Sequence, residues 1–202
     1  MNYALAAENR MTTNIGNRRS FSRSVLVAFV LFGVLFPGLA KAARPGASPV
    51  DSAPPDSSAP QVALNITNAG PRAIEALTEH AVLRDYKFAW ARMSQALETN
   101  SPDLLNGLLE GTASVWLSDE IKSQRRAGMN SRCLNQVHKV DAVFYSPEGD
   151  LLELHDTAEY DLQISDSGKM IHNQHVVVHY VVLMTPGADR WVVRQIQSVP
   201  QF

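Results

Sequence analysis

Residues 150–165 read DLLELHDTAEYDLQIS, and the alternation in this stretch decides the fold. Leu152, Leu154, Asp156, Ala158, Tyr160, Leu162 and Ile164 share one side of an extended chain. Glu153, His155, Thr157, Glu159 and Asp161 take the other. A period of two over this length is a strand with one face on a core and one face toward water or a partner. The same period continues on both sides, through runs at 136–146, 170–185 and 190–199. Between the runs lie Ser146-Pro147-Glu148-Gly149, Asp166-Ser167-Gly168 and Pro186-Gly187-Ala188-Asp189. These are hairpin-length loops built from turn residues. Four strands joined by hairpins predict an antiparallel meander.

Upstream the period changes to that of helices. Val82, Tyr86, Ala89, Trp90, Met93 and Leu97 recur at spacings of three and four, which predicts a helix opened by Gly70-Pro71 and running to about Glu98. Ser101-Pro102-Asp103 has the form of a second helix start, closed by Gly111. A third helix is expected from Ser114 to Ala127, with Arg125 and Arg126 in its last turn, where the helix dipole favours cations. Three helices followed by a four-stranded meander make an α+β domain, with the helices on one face of the sheet. In the third strand the core side continues as Val176, Val178, Tyr180, Val182 and Met184. The opposite side (His175, Val177, His179, Val181, Leu183) is half apolar, which suggests partial cover.

The amino-terminal region reads differently. Arg18, Arg19 and Arg23 precede the apolar run Val25–Phe36, and Ala40-Lys41-Ala42 follows. A basic start, a short apolar segment and small residues at −3 and −1 are the pattern of a secretory signal peptide, here 1–42. The run is shorter than the roughly 20 residues that span a bilayer. Retained uncleaved, it would instead give peripheral membrane association. Residues 43–61 are rich in Pro, Ser and Ala, lack apolar periodicity and read as a disordered linker to a folded domain at 62–202.

The whole chain has 202 residues, 18 basic and 20 acidic, for a net charge of −2. Five basic residues and one acidic residue lie in 1–42, so the remainder holds 13 basic and 19 acidic residues, net −6. Such a balance gives no support to nucleic-acid binding. One cysteine, Cys133, excludes an internal disulfide framework and a multi-cysteine zinc site.

The helix–helix–helix–meander order, together with DAVFYSPEGDLLELHDTAEYDL (141–162) and VVVHYVVLMTPGADRWVVRQIQSV (176–199), resembles the nuclear transport factor 2-like superfamily of cone-shaped domains. Within it, the order looks most like the intermembrane-space domain of plastid-division proteins. Those share an S-x-D/E-G turn, an acid-rich second strand and a W-x-[VI] last strand. The corresponding features here are Ser146–Gly149, Glu153–Glu159 and Trp191-Val192-Val193. The resemblance implies a fold and leaves the role open, because the superfamily holds isomerases, dehydratases and non-catalytic binding domains.

Two clusters carry candidate chemistry. With tight hairpins, Asp141 falls opposite His155, His155 opposite His179, and Glu159 opposite His175. These five are candidate binding residues on the outer face. Imidazoles with a carboxylate can bind zinc, but ordinary cross-strand pairing is the commoner use of such residues, and no metal is expected. On the inner side Asp156 interrupts an apolar series. The same pairing sets it near Val140 and Val178, with His138, Tyr160 and Tyr180 nearby, and Gln195 if the last hairpin is in register. A carboxylate in apolar surroundings can act as a general base, with a tyrosine hydroxyl stabilising an oxyanion. Asp156, His138 and Tyr180 are therefore the catalytic candidates. No motif calls for a cofactor. The sequence favours an exported, non-catalytic binding or interaction domain for a protein or small-molecule ligand. The alternatives are a small isomerase or dehydratase using Asp156, and a tethered component of an envelope assembly.

Overall fold

The computed structural model describes residues 59–202, so the signal peptide and nearly all of the expected linker lie outside the described residues. The elements are β1 (Gln61–Asn65), β2 (Gly70–Pro71), α1 (Ala76–Thr99), a 3-10 turn (Pro102–Leu105), α2 (Gly111–Arg126), β3 (Met129–Tyr145), β4 (Leu152–Asp166), β5 (Lys169–Pro186) and β6 (Trp191–Val199). The sheet order is β1-β3-β4-β5-β6, and β2 also pairs with β3. The meander β3-β4-β5-β6 is antiparallel, while β1 and β2 run parallel to β3. The fold is α+β as expected, but the sheet is mixed and six-stranded rather than a four-stranded antiparallel meander, because β1 and β2 add parallel to the outer edge of β3.

Three further expectations need correction. Gly70-Pro71 does not open a helix. It forms β2 opposite Phe144 and Tyr145, and α1 begins at Ala76 after an extended Glu75. Proline at a first helical position and proline in an edge strand have the same local form, and pairing to β3 decides between them. The expected second helix is a single 3-10 turn in which Ser101 makes no side-chain cap bond. Gly111 starts α2 rather than closing the previous helix. Its φ is +59°, and a Cβ there would lie 3.1 Å from the carbonyl oxygen of Arg194. Glycine lets the helix begin in a left-handed conformation directly against β6.

The predicted face of α1 is the buried one: Val82, Tyr86, Ala89, Trp90, Met93 and Leu97 all lie in the core. Against them sit Leu152, Leu154, Ala158, Tyr160 and Leu162 of β4 and Val178, Tyr180, Val182 and Met184 of β5. Two polar joints fix the helices. The buried Asp85 carboxylate accepts the Trp191 backbone N–H at 2.8 Å and the Arg84 guanidinium at 2.8 Å, tying α1 to the start of β6. The Gln124 side-chain amide donates to the Leu97 carbonyl at 2.6 Å and accepts from Ser131 Oγ at 3.0 Å, locking α1, α2 and β3 together. Buried polar groups paired in this way avoid the 1–3 kcal/mol that an orphaned group typically costs.

Candidate functional site

The inner cluster centres on one oxygen. Asp156 sits mid-β4 between Val140 of β3 and Tyr180 of β5. Tyr86 Oη, from α1, donates to Asp156 Oδ2 at 2.7 Å, and His138 Nδ1 lies 2.8 Å from the same oxygen. With its ring proton on Nδ1, His138 is the second donor. The Asp156 and His138 side chains are both 0% exposed. Around them, Trp90 packs with its ring centroid 4.5 Å from that of His138 and 5.6 Å from that of Tyr180. Tyr160 and Tyr180 approach through their hydroxyls at 3.5 Å. Burial pushes the Tyr86 hydroxyl well above its ordinary range, and the Asp156 carboxylate adds to the shift. Burial also raises Tyr160 and Tyr180. All three are therefore neutral donors at any physiological pH. His138 Nε2 and Asp156 Oδ1 are buried without a hydrogen-bond partner.

The register differs from the tight-hairpin expectation. Asp156 faces Tyr180, and Val178 lies opposite Ala158. The hairpin pairs Lys169 with Asp166 rather than with Ser165, a shift of one residue, and a bulge between Ile164 and Ser165 skips Ile171 and adds one more, so β5 lies two residues along β4 from the expected register. Gln195 lies opposite Leu183, whose side faces outward, and bonds Gln197. It does not join Asp156. Tyr86 escaped the sequence reading as a site residue because its spacing marked it as core, and only the packing of α1 on β4 brings its hydroxyl to the acid.

On the outer face the same two-residue shift rearranges the histidines. His155 lies opposite Val181 and His179 opposite Thr157, so the two imidazoles are not a cross-strand pair. His179 Nδ1 lies 3.0 Å from Thr157 Oγ1, and His155 Nε2 lies 3.2 Å from Glu153 Oε1. Phe202 joins the two histidines. Its ring stacks on His155 at 4.3 Å and meets His179 edge-on at 5.1 Å. No pattern in the sequence marks Phe202. His175 lies opposite Asp161 rather than Glu159, yet it touches both: Nδ1 is 2.9 Å from Asp161 and Nε2 is 3.2 Å from Glu159. The hydrogen bond to Asp161 raises the His175 pKa, with Glu159 adding to it. The amide of Asn135 and then His175 lower that of Asp161. Asp141 lies opposite His155, and its carboxylate accepts the Asn65 amide at 2.7 Å. Among the described residues, no group of three or more His, Cys, Asp or Glu side chains is placed to hold a metal ion.

A surface cleft of about 740 Å³ lies elsewhere, lined by His80, Arg84, Lys87 and Phe88 of α1 and by Asp189 and Arg190 of the last hairpin. Neither Asp156 nor an outer-face histidine lines it. Its guanidiniums are engaged, Arg84 by Asp85 and Arg190 by Asp189.

An α+β unit with helices on one side of a long-stranded meander now has a counterpart among solved structures. The domain is similar in fold to a region of a chloroplast protein. The intermembrane space region of chloroplast protein ARC6 superposes with a TM-score of 0.50 at 15% identity, covering 64% of this chain and 98% of that one. A protein of unknown function with a cystatin-like fold, from Nostoc punctiforme, matches with a TM-score of 0.33 at 12% identity, covering 63% of this chain and 95% of that one. No protein-family model and no curated protein matches the chain. The likeness to the ARC6 region concerns the fold.

Proposed function

We propose that this chain is an exported, non-catalytic binding or interaction domain carried on the Pro-, Ser- and Ala-rich segment 43–61. The observation that carries the reading is the contrast across β4. The inward acid is 0% exposed and already bonded by Tyr86 and His138, so a substrate has no access to it as the domain stands. The outward face carries Glu159 and His175 with side chains 50% and 58% exposed, next to apolar Val177. A mixed polar and apolar sheet face suits contact with a protein or small-molecule ligand. Export rests on the pattern from Arg18 to Ala42. The ARC6 region occupies an intermembrane space, and that supports a place outside the cytoplasm for a domain of like fold. The finer assignment, a nuclear transport factor 2-like domain, belongs to the same proposal and rests on the element order.

One observation favours the second reading, an isomerase or dehydratase. His138 Nε2 and Asp156 Oδ1 are buried without partners, and a domain that opened could use them on a substrate. A photo-crosslinking residue at Glu159, compared with one at exposed Val115 on α2, tests the two in the producing host. The binding reading expects a discrete adduct by mass from position 159, none from 115, and the same adduct in an Asp156→Asn background. No adduct from 159, or its loss with Asp156→Asn, contradicts it. The same material should begin at or near Ala43, and intact Arg18–Phe36 sequence would contradict cleavage.

A further inference from the structure

The described chain starts on the wall of the surface cleft. Ala59 and Pro60 line it, together with Leu83, Lys87, Phe88 and Ala91 of α1. Pro60 is buried and stands directly before β1. Leu83, Ala91 and the Phe88 ring, 39% exposed, supply an apolar side. The guanidiniums of Arg92 and Arg190 lie 5.0 Å and 5.8 Å from the centre of that ring. Arg84 and Arg190 are held by Asp85 and Asp189, whereas Lys87 has no ion pair among the described residues. The cleft therefore carries an excess of positive charge on a domain whose balance is otherwise acidic.

We infer that this cleft holds the segment of the same chain that immediately precedes it, 53–58, with Pro54-Pro55 against Phe88 and the Asp56 carboxylate at Lys87. Three features select this occupant. The first is charge: residues 45–58 hold two charged side chains, Asp51 and Asp56, and both are acidic. The second is shape. Paired prolines favour the extended polyproline conformation, which has no internal hydrogen bonds to give up and docks on aromatic surfaces. The third is reach. At about 3.1 Å per residue, Asp56 stands about 9 Å along the chain from Ala59. A volume of 740 Å³ is about 9 Å on a side, so a segment starting at Ala59 brings Asp56 across the cleft. A contact of two prolines and one ion pair is too small to hold a free peptide. A tether of a few residues raises the effective concentration to the millimolar range, and the contact then suffices. The tether is thereby fixed at its inner end. The cleft lies apart from the outer sheet face, so failure of this inference leaves the reading of that face standing, and the reverse holds too.

Backbone NMR order parameters of Ala53 and Asp56 in the full chain test this, alongside Phe88→Ala and Lys87→Glu variants. Lys87 and Phe88 are both exposed, so neither substitution threatens the fold. In the parent chain both order parameters should be about 0.6 or higher, toward the value of about 0.85 that marks rigid backbone. Phe88→Ala should bring both below about 0.6. Lys87→Glu should lower them, and Asp56→Lys added to Lys87→Glu should raise them again. Values below about 0.6 in the parent chain overturn the proposal and leave the cleft to another molecule. Values that neither Phe88→Ala nor Lys87→Glu lowers overturn it as well. So does order that fades on dilution, which would seat the segment in the cleft of a second copy.

Discussion

Asp156 and Asp161 stand five residues apart on β4 and so face opposite sides of one sheet, and each is joined to a histidine. The inner pair, Asp156 with His138, is 2.8 Å apart, and both side chains are 0% exposed. The outer pair, Asp161 with His175, is 2.9 Å apart, with side chains 35% and 58% exposed. Distance does not separate them. Solvent does, because water screens the outer pair and competes for its hydrogen bonds, whereas nothing replaces a lost partner inside. The same two residue types therefore hold the fold together on one face and leave a titratable surface on the other.

The largest effect expected from breaking this contrast is on the inner side. Asp156→Ala strands both the Tyr86 hydroxyl and the His138 ring and should cost about 3–5 kcal/mol in urea unfolding. A cost below about 1 kcal/mol would show that the pair is dispensable. Asp85→Ala comes next. It orphans the Trp191 N–H while leaving Arg84 in solvent, and about 1–3 kcal/mol should be lost by the same measurement. On the outer face, His175→Ala should leave the unfolding midpoint where it is.

The outer pair is better seen through pH. The His175 pKa is raised above its ordinary 6.5 by Asp161, so its contribution is complete below that value and fades as pH rises through the raised one. The Asp161 pKa is lowered below 3.8, chiefly by Asn135, so its contribution is complete above 3.8 and fades as pH falls through the lowered one. The pair is whole between the two ordinary values. The imidazole resonances of His175 should titrate above 6.5 and return toward it in Asp161→Asn. A titration unmoved by that substitution would contradict the pairing.

Much of the fold is legible along the chain because its signals are local. The alternation of β4, the buried stripe of α1 and the three hairpin turns all depend on neighbours within a few residues. The parts that escape are non-local or irregular. β1 has five residues, and its register to β3 spans 76 positions, from Gln61 to Val137. β3 begins at Met129, but Asn135, with φ +54°, and a register shift after Leu134 break its period, so only the part from 136 reads as a strand. A hairpin register one residue off and one bulge at Ile164 together moved the predicted histidine pairs by two residues, since a slip along a ladder changes every partner beyond it. Asp156 was visible as an acid among apolar residues. Tyr86, which completes its bonding, was not, because a tyrosine on a helix stripe looks the same whether or not its hydroxyl has work to do.

The account holds that Asp156 keeps the fold rather than serves chemistry, and one substitution tests that most directly. Asp156→Asn preserves the shape and removes the charge that Tyr86 and His138 bond. Its free energy of unfolding should fall by about 1–3 kcal/mol relative to the parent chain. An unchanged or increased stability would contradict the account, because an acid whose removal relieves the fold is one retained for function at the expense of stability.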